Sequence, residues 1–180
     1  MKTHTQDIPI NSKPPIIWAL NDKRPGNNSQ VLGVVKNLYL PFVVKYIDYN
    51  KLFFLRFVLK VNSKIGFSKG SISSCIPPWP DLVISAGRRA AHFACWIKKQ
   101  SGGISKLVSI MFPGKAISQN FSLIALPNHD KIKDSSNTSN IVRISGAPNN
   151  ISEELLHEQK IKFSYILNSL PKPWIAVLVG

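Results

Sequence analysis

The chain has 180 residues, enough for one domain with a substantial hydrophobic core. Hydrophobic residues make up 44% of it and charged residues 18%, a balance that excludes an intrinsically disordered chain and a coiled coil. The net charge of +14 favours a polyanionic partner, but the Lys and Arg residues are scattered and form no block of five, so nucleic acid is not the expected partner.

Short apolar runs rich in β-branched residues alternate with helical patterns along the chain, which is typical of a parallel sheet covered by helices on both faces. Strands are predicted at 16–20, 41–48, 81–87, 106–112, 121–126, 140–145 and 174–180. Helices are predicted at 29–38, 88–99 and 152–170, with 21–28 as a loop and 51–78 as a connection. The expected fold class is therefore α/β, with a Rossmann-like, mostly parallel sheet.

The end of the sequence predicts a domain boundary. Pro171-Lys-Pro173 is stiff and polar like an interdomain linker, and the strand that follows it ends on Gly180. A glycine after a buried strand is typical of a turn into a phosphate-binding helix. We expect a first Rossmann-like domain at 1–170, and at 171–180 a linker with the first strand of a truncated second domain.

Ligands of open parallel sheets bind where the carboxyl ends of the strands meet. Asp22, Arg24 and Gly26 follow the first predicted strand, where glycine permits a close backbone approach and arginine suits a phosphate or carboxylate. Simple turn formation is the alternative for these three residues.

The third strand predicts the main anion site. Gly87, Arg88 and Arg89 lie between that strand and its helix, where backbone N–H groups and guanidinium groups converge on an anion.

Two further candidates follow later strands. His129 and Asp130 form a neighbouring pair suited to a general base, although such a pair is also common on ordinary surfaces. Gly146 and Asn149 follow the 140–145 strand and either contact a sugar or phosphate or shape the next turn. His129, Asp130 and Asp22 are thus the candidate catalytic residues.

Metals, cofactors and membranes have weaker signals. Cys75 and Cys95 stand outside any C-x-x-C or Cys/His cluster, so we expect no disulfide framework, no metal site and no resident cofactor. The start of the chain lacks a signal-peptide pattern and no apolar run is long enough to span a membrane, which predicts a cytoplasmic protein. Residues 51–60 mix Phe and Leu with Lys and Arg, as in a helix that lies on an anionic membrane surface; a buried core segment is the alternative.

Several motifs resemble, in order, those of the mitochondrial fission (elongated-mitochondria) family. They are the segments 22–33 (DKRPGNNSQVLG), 78–89 (PWPDLVISAGRR), 100–103 (QSGG), 126–130 (LPNHD), 145–149 (SGAPN) and 173–180 (PWIAVLVG). Bacterial members are described as glycosyltransferases or nucleoside-diphosphate-sugar epimerases. The chain departs from the pattern at Asn150, where a basic residue is expected, and in 51–74, which matches nothing specific.

The resemblance implies a GT-B-like protein, in which two Rossmann-like domains face each other across a cleft and the donor nucleotide lies on the carboxy-terminal domain. This chain then corresponds to the acceptor-side domain of a glycosyltransferase that uses a nucleotide-sugar donor and a glycan or lipid acceptor. It is expected to be inactive unless a second-domain polypeptide completes it. The alternatives are a non-enzymatic protein-recruitment module and a remnant of a fragmented gene.

Overall fold

Six strands form one sheet in the computed structural model, which describes residues 13–54, 64–132 and 139–177. They are β1 (Ile17–Asn21), β2 (Phe42–Tyr46), β3 (Leu82–Ala86), β4 (Lys106–Ile110), β5 (Leu123–Pro127) and β6 (Ile141–Ile144). The strands lie in the order β2-β1-β3-β4-β5-β6, and every neighbouring pair is parallel. The predicted α/β class with a Rossmann-like parallel sheet is confirmed.

The described helices are α1 (Pro25–Lys36), α2 (Lys69–Ser73), α3 (Gly87–Gln100) and α4 (Glu153–Asn168), with 3₁₀ helices at Lys51–Phe54 and Ser118–Asn120. α1 begins four residues before the predicted start because Pro25 occupies its first turn, where a fixed φ favours the helix and the missing N–H costs nothing. The predicted loop at 21–28 is therefore wrong over its second half. The short helix α2, which Ser68 caps through a bond to the Ser71 amide, lies within the segment predicted as a plain connection.

The core lies on both faces of the sheet because the side chains of each strand alternate between them. Ile17 and Ala19 pack with Val31 and Val35 of α1 on one face. On the other face Trp18 and Leu20 belong to a larger cluster built around α3, in which Phe93 is completely buried. Fully buried strands explain why the runs in the sequence are continuously apolar instead of alternating.

α3 ends where the sequence predicts. Gly102 adopts a φ of +67°, and the amide of Gly103 donates to the carbonyl of Lys98 over 2.8 Å. This is the hydrogen-bond pattern of a Schellman motif, which satisfies the last carbonyls of the helix and turns the chain toward β4.

The carboxy-terminal segment differs from its prediction. Residues 174–177 carry no strand, while 178–180 lie outside the described residues. A strand requires a partner to pair its backbone groups, and the described part of the chain supplies none there. The domain boundary near residue 171 stays a prediction.

The chain divides into two compact units, Met1–Asn149 and Asn150–Gly180. The first contains the sheet with α1, α2 and α3. The second contains α4, whose first turn is capped by Ser152 as predicted, with the Ser152 hydroxyl accepting from the Leu155 amide.

The predicted membrane-surface segment 51–60 is described only in part. Lys51–Phe54 forms a 3₁₀ helix in which Phe53 is buried in the core, and 55–60 lie outside the described residues. None of the described helices is long and apolar enough to cross a bilayer.

Candidate functional site

The strand order reverses between the carboxyl ends of β1 and β3, the position at which open α/β sheets have a ligand crevice, and we call this position the crevice. From β1 the chain passes through α1 to β2 on one side, and then returns to β3 on the other side of β1. α1 packs on one face of the sheet and α3 on the other, so the loops that follow β1 and β3 diverge at this point. In open α/β sheets such a reversal of strand order leaves room for a ligand.

The loop after β1 is held by its own polar side chains. The Asp22 amide donates to Oδ1 of Asn28 over 2.9 Å, while Nδ2 of Asn28 donates to the Asp22 carbonyl over 2.7 Å. Oδ1 of Asp22 accepts the Arg24 amide at 2.8 Å, and Asp22 is 6% exposed. The predicted catalytic carboxylate therefore shapes the loop that presents the exposed Arg24.

The loop after β3 brings the amino ends of α1 and α3 together. Gly87 has a φ of +75°, and a Cβ at that position would lie 3.0 Å from Nδ2 of Asn27, in the first turn of α1. The amide dipoles of α3 point toward this edge, which makes it favourable for negative charge. Arg88 and Arg89 follow at once and are exposed.

Tyr49, which follows β2, contacts Arg89 of α3. Its ring lies edge-on to Phe53 with centroids 4.6 Å apart, and the Arg89 guanidinium carbon lies 5.8 Å from the centroid of the Tyr49 ring. That distance is within the range of a cation–π contact. Arg89 is therefore held against an aromatic surface next to the start of α3.

Charges of both signs surround the Tyr49 hydroxyl. Its burial raises its pKa well above the ordinary tyrosine value, and the negative charge of Asp22 adds to the rise, while Arg89 and Arg24 oppose it. Residues from the loops after β1, β2 and β3 thus act electrostatically on one buried oxygen. The structure brings together Asp22, Arg24 and Arg89, which the sequence places far apart.

Two residues at this edge were missed by the sequence analysis. Tyr49 and Asn21 each carry a buried side-chain oxygen without a hydrogen-bond partner among the described residues. Asn21 ends β1 and is 3% exposed. Both lie at the end of a predicted strand, and that position was the available signal, but their burial is a property of the tertiary structure.

An ion pair lies at the rim. Nζ of Lys23 is 3.0 Å from Oδ1 of Asp48, and both side chains are more than half exposed. Such a pair contributes little stability in water. The positive charge of Lys23 partly offsets the negative charge of Asp48 at this rim.

The predicted His129–Asp130 pair lies elsewhere along the same edge. It follows β5, which β3 and β4 separate from β1, or roughly 14 Å at the usual strand spacing. Nε2 of His129 is 3.8 Å from Oδ1 of Asp130, and the His129 side chain is 70% exposed. Its role as a general base stays a prediction, as do the other predicted site roles.

The segment after β6 reaches α1. A Cβ on Gly33 would overlap the backbone of Asn149, so the absence of a side chain at Gly33 allows this close approach. Asn149 thus has a packing contact against α1. Around Gly146, by contrast, no described atom lies within 4 Å of where a Cβ would be.

A cavity among the described residues lies away from the carboxyl ends of β1 and β3. A polar cavity of about 280 Å³, lined by Ser118, Gln119, Phe121, Ser139 and Asn140, lies near the amino ends of β5 and β6. Within the described ranges, no three His, Cys, Asp or Glu side chains are grouped to hold a metal ion. The charged groups at the carboxyl edge are therefore the best candidate for a functional site.

The fold defines a class: a parallel α/β domain of the Rossmann type in which the strand order reverses between β1 and β3. Residues 25–180 match the family described as Mitochondrial fission ELM1, and the chain belongs to this family. The resemblance carried by the sequence motifs is thereby confirmed.

The chain is also similar to a bacterial protein. The protein named Uncharacterized protein RP120, from Rickettsia prowazekii (strain Madrid E), is 34% identical over 115 residues, which is 63% of this chain and 32% of that protein. The matched region is about a third of the length of that relative. No solved structure matches the chain.

Proposed function

We propose that this chain is the acceptor-side domain of a glycosyltransferase that uses a nucleotide-sugar donor, and that its crevice binds a phosphate-bearing part of a substrate. The observation that carries the proposal is the Arg89 guanidinium, whose carbon lies 5.8 Å from the centroid of the partly buried Tyr49 ring, together with the exposed Arg88 at the amino end of α3. Membership in the mitochondrial fission family and the Rossmann-type sheet support it.

The chemistry of the crevice suits this task. Guanidinium groups make bidentate bonds to phosphate oxygens, and the start of a helix adds backbone donors and a favourable dipole. Negative charge develops on the departing phosphate during sugar transfer, and donors fixed in place stabilise it. Arg88 and Arg89 provide the charge, and the turn at Gly87 sets their position.

We assign the acceptor hydroxyl to the neighbourhood of His129 and Asp130. His129 would take the proton from that hydroxyl, and Asp130 would orient the imidazole. Because the pair is roughly three strand spacings from β1, the assignment requires a substrate that extends along the carboxyl edge, such as a glycan or a lipid-linked sugar. A second domain would carry the nucleotide.

The experiment that tests the site is a calorimetric titration with UDP-glucose, glucose 1-phosphate and glucose. We expect both phosphate compounds to bind and glucose not to bind. Arg89→Gln should weaken phosphate binding by about tenfold or more, because a charge-assisted hydrogen bond is lost.

The matched control is Lys106→Gln, which also removes one positive charge but lies at the start of β4, at the opposite edge of the sheet. Its affinity for glucose 1-phosphate should equal that of the unchanged chain. Equal affinities for glucose and its phosphate, or no effect of Arg89→Gln, would contradict the proposal and favour a recruitment role instead.

A further inference from the structure

Two stretches of chain are held together beside the carboxyl end of β2. The Asn50 amide donates to the Gly66 carbonyl over 3.0 Å, and Nδ2 of Asn50 donates to the Phe67 carbonyl over 3.1 Å. Tyr49 and Phe67 also form an antiparallel β-bridge. The 3₁₀ helix that begins at Lys51 therefore lies next to the residues that immediately precede Phe67.

The side chains of these two stretches divide between the core and the solvent. Phe53 and Phe67 are buried in the core, with ring centroids 6.0 Å apart, and they anchor the backbone. Leu52, by contrast, is 51% exposed and Ile65 is 41% exposed. A single exposed aliphatic side chain is ordinary, but here two lie on stretches that hydrogen bonds hold together.

A lysine precedes each of the two aliphatic residues. Lys51 comes before Leu52 and Lys64 before Ile65, and both lysines are exposed. We call these four residues the loop surface. Positions 49–80, which contain it, have five Lys and Arg residues and no Asp or Glu. The loop surface therefore combines apolar groups with positive charge.

The start of α3 adds positive charge beside the loop surface. The Arg89 guanidinium carbon lies 5.9 Å from the centroid of the Phe53 ring, whose 3₁₀ helix carries two residues of the loop surface. Arg88, next to it, is exposed. The acidic residue that precedes this stretch, Asp48, lies 3.0 Å from Nζ of Lys23. Positive charge therefore predominates around the loop surface.

Exposed aliphatic groups beside lysines match the chemistry of an anionic lipid bilayer. Aliphatic side chains enter the boundary between headgroups and acyl chains, while lysine ammonium groups reach the lipid phosphates. Each cation close to an anionic membrane strengthens the attraction. A single-stranded nucleic acid, in contrast, binds largely by stacking its bases on exposed aromatic rings, whereas Phe53 and Phe67 are buried.

We propose that the loop surface docks on an anionic lipid bilayer, with Leu52 and Ile65 inserted between the headgroups and the two lysines bound to lipid phosphates. The inference goes beyond the proposed function, because docking requires neither a nucleotide sugar nor its transfer. Docking would turn the carboxyl edge of the sheet toward the bilayer, where a lipid-linked acceptor is presented to the crevice.

Flotation with lipid vesicles tests the inference. The chain should bind vesicles of phosphatidylcholine mixed with phosphatidylglycerol much more strongly than vesicles of phosphatidylcholine alone, and added salt should weaken the binding. Lys51→Gln combined with Leu52→Gln should lower the partition coefficient on the mixed vesicles by about tenfold or more, because one cation and one apolar contact are removed. Lys64→Gln combined with Ile65→Gln should have a similar effect.

The matched control is Lys106→Gln combined with Ile104→Gln, which removes the same kinds of side chain at the opposite edge of the sheet. Ile104 is 72% exposed and Lys106 begins β4. This variant should bind the mixed vesicles as the unchanged chain does. All three variants should melt close to the temperature of the unchanged chain, because no buried side chain is altered.

Three results would overturn the inference. One is an equal loss of binding in the control and in the loop-surface variants, which would indicate general charge attraction. Another is binding to phosphatidylcholine alone as strong as to the mixed vesicles, or binding to neither. The third is that the loop-surface variants lose binding to single-stranded DNA and keep their binding to vesicles. The titration with glucose 1-phosphate needs no vesicles, so the proposed function succeeds or fails separately.

Discussion

Gly87 shows how much of the crevice depends on one small residue. Its φ of +75° lies in the left-handed region, and a Cβ at this position would lie only 3.0 Å from Nδ2 of Asn27. Both features bring the start of α3 close to the start of α1. The positive φ and the short distance to Asn27 are therefore two separate reasons why glycine is favoured at this position.

Two substitutions separate the effect of the positive φ from the effect of the contact with Asn27. Gly102, at the end of α3, has a similar φ of +67° but no described atom within 4 Å of its missing Cβ. Gly102→Ala should lose about 1 kcal/mol of unfolding free energy from backbone strain alone. Gly87→Ala should lose more, roughly 2 kcal/mol, because Asn27 must also move. Urea denaturation measures both values, and equal losses would show that the Asn27 contact has no energetic role.

At the residue scale the sequence predicted some of the residues at this edge of the sheet but not others. The Gly87-Arg88-Arg89 turn and Arg24 follow apolar runs directly, and loops at strand ends were the stated criterion. Tyr49 was not predicted, because a tyrosine in a polar stretch after a strand is ordinary in sequence. Its significance comes from Phe53, Phe67 and Arg89, which approach it only in the folded chain.

At the scale of elements, α1 is fixed by contacts on more than one side. Val31 and Val35 pack on β1 and β3, while Gly33 receives the backbone of Asn149 from the segment after β6. A strand at the far edge of the sheet is thereby tied to the helix at the crevice.

Alanine substitutions in α1 test the contact with Asn149. Helix propensity alone predicts that either glycine gains up to about 1 kcal/mol on change to alanine. Gly26→Ala, where no described atom lies within 4 Å, should be neutral or slightly stabilising. Gly33→Ala should instead destabilise by roughly 1–3 kcal/mol because its Cβ meets the Asn149 backbone. Thermal or urea unfolding gives the comparison, and a gain in Gly33→Ala as large as in Gly26→Ala would contradict the contact.

For the whole molecule, the two units differ in how deeply their residues are buried. β1, β3 and β4 lie inside the sheet with helices on both faces, whereas none of the described residues of α4 is buried. Local stability follows burial, because opening a buried element exposes more apolar surface.

Hydrogen exchange should reveal this difference. Amides of β1, β3 and β4 should exchange last, at rates governed by global unfolding, while those of Glu153–Asn168 should exchange much earlier. Mass spectrometry of peptides from the two units provides the measurement. Protection in α4 as high as in β3 would mean that a cover for its apolar side chains forms in solution.

The sequence by itself determined the α/β class, the parallel sheet, and all six strands to within about two residues at each end, because buried strands and the glycine and proline signals between them are local patterns. β2, predicted as 41–48, is shorter by a few residues at its ends, as expected where pairing with β1 limits a strand. The strand predicted at 174–180 is wrong over 174–177 because an apolar run becomes a strand only when a neighbour pairs with it.

Only the tertiary structure decided the order of the strands, and with it which loops meet at the crevice. Strand order depends on contacts between residues up to 65 positions apart, such as Ile17 with Leu82, and no local pattern encodes them. The same long-range packing buries the Tyr49 hydroxyl beside Arg89 and places His129 two strands away from β3. Composition and spacing describe what each segment prefers, whereas the site exists because the packed sheet brings distant segments to one edge.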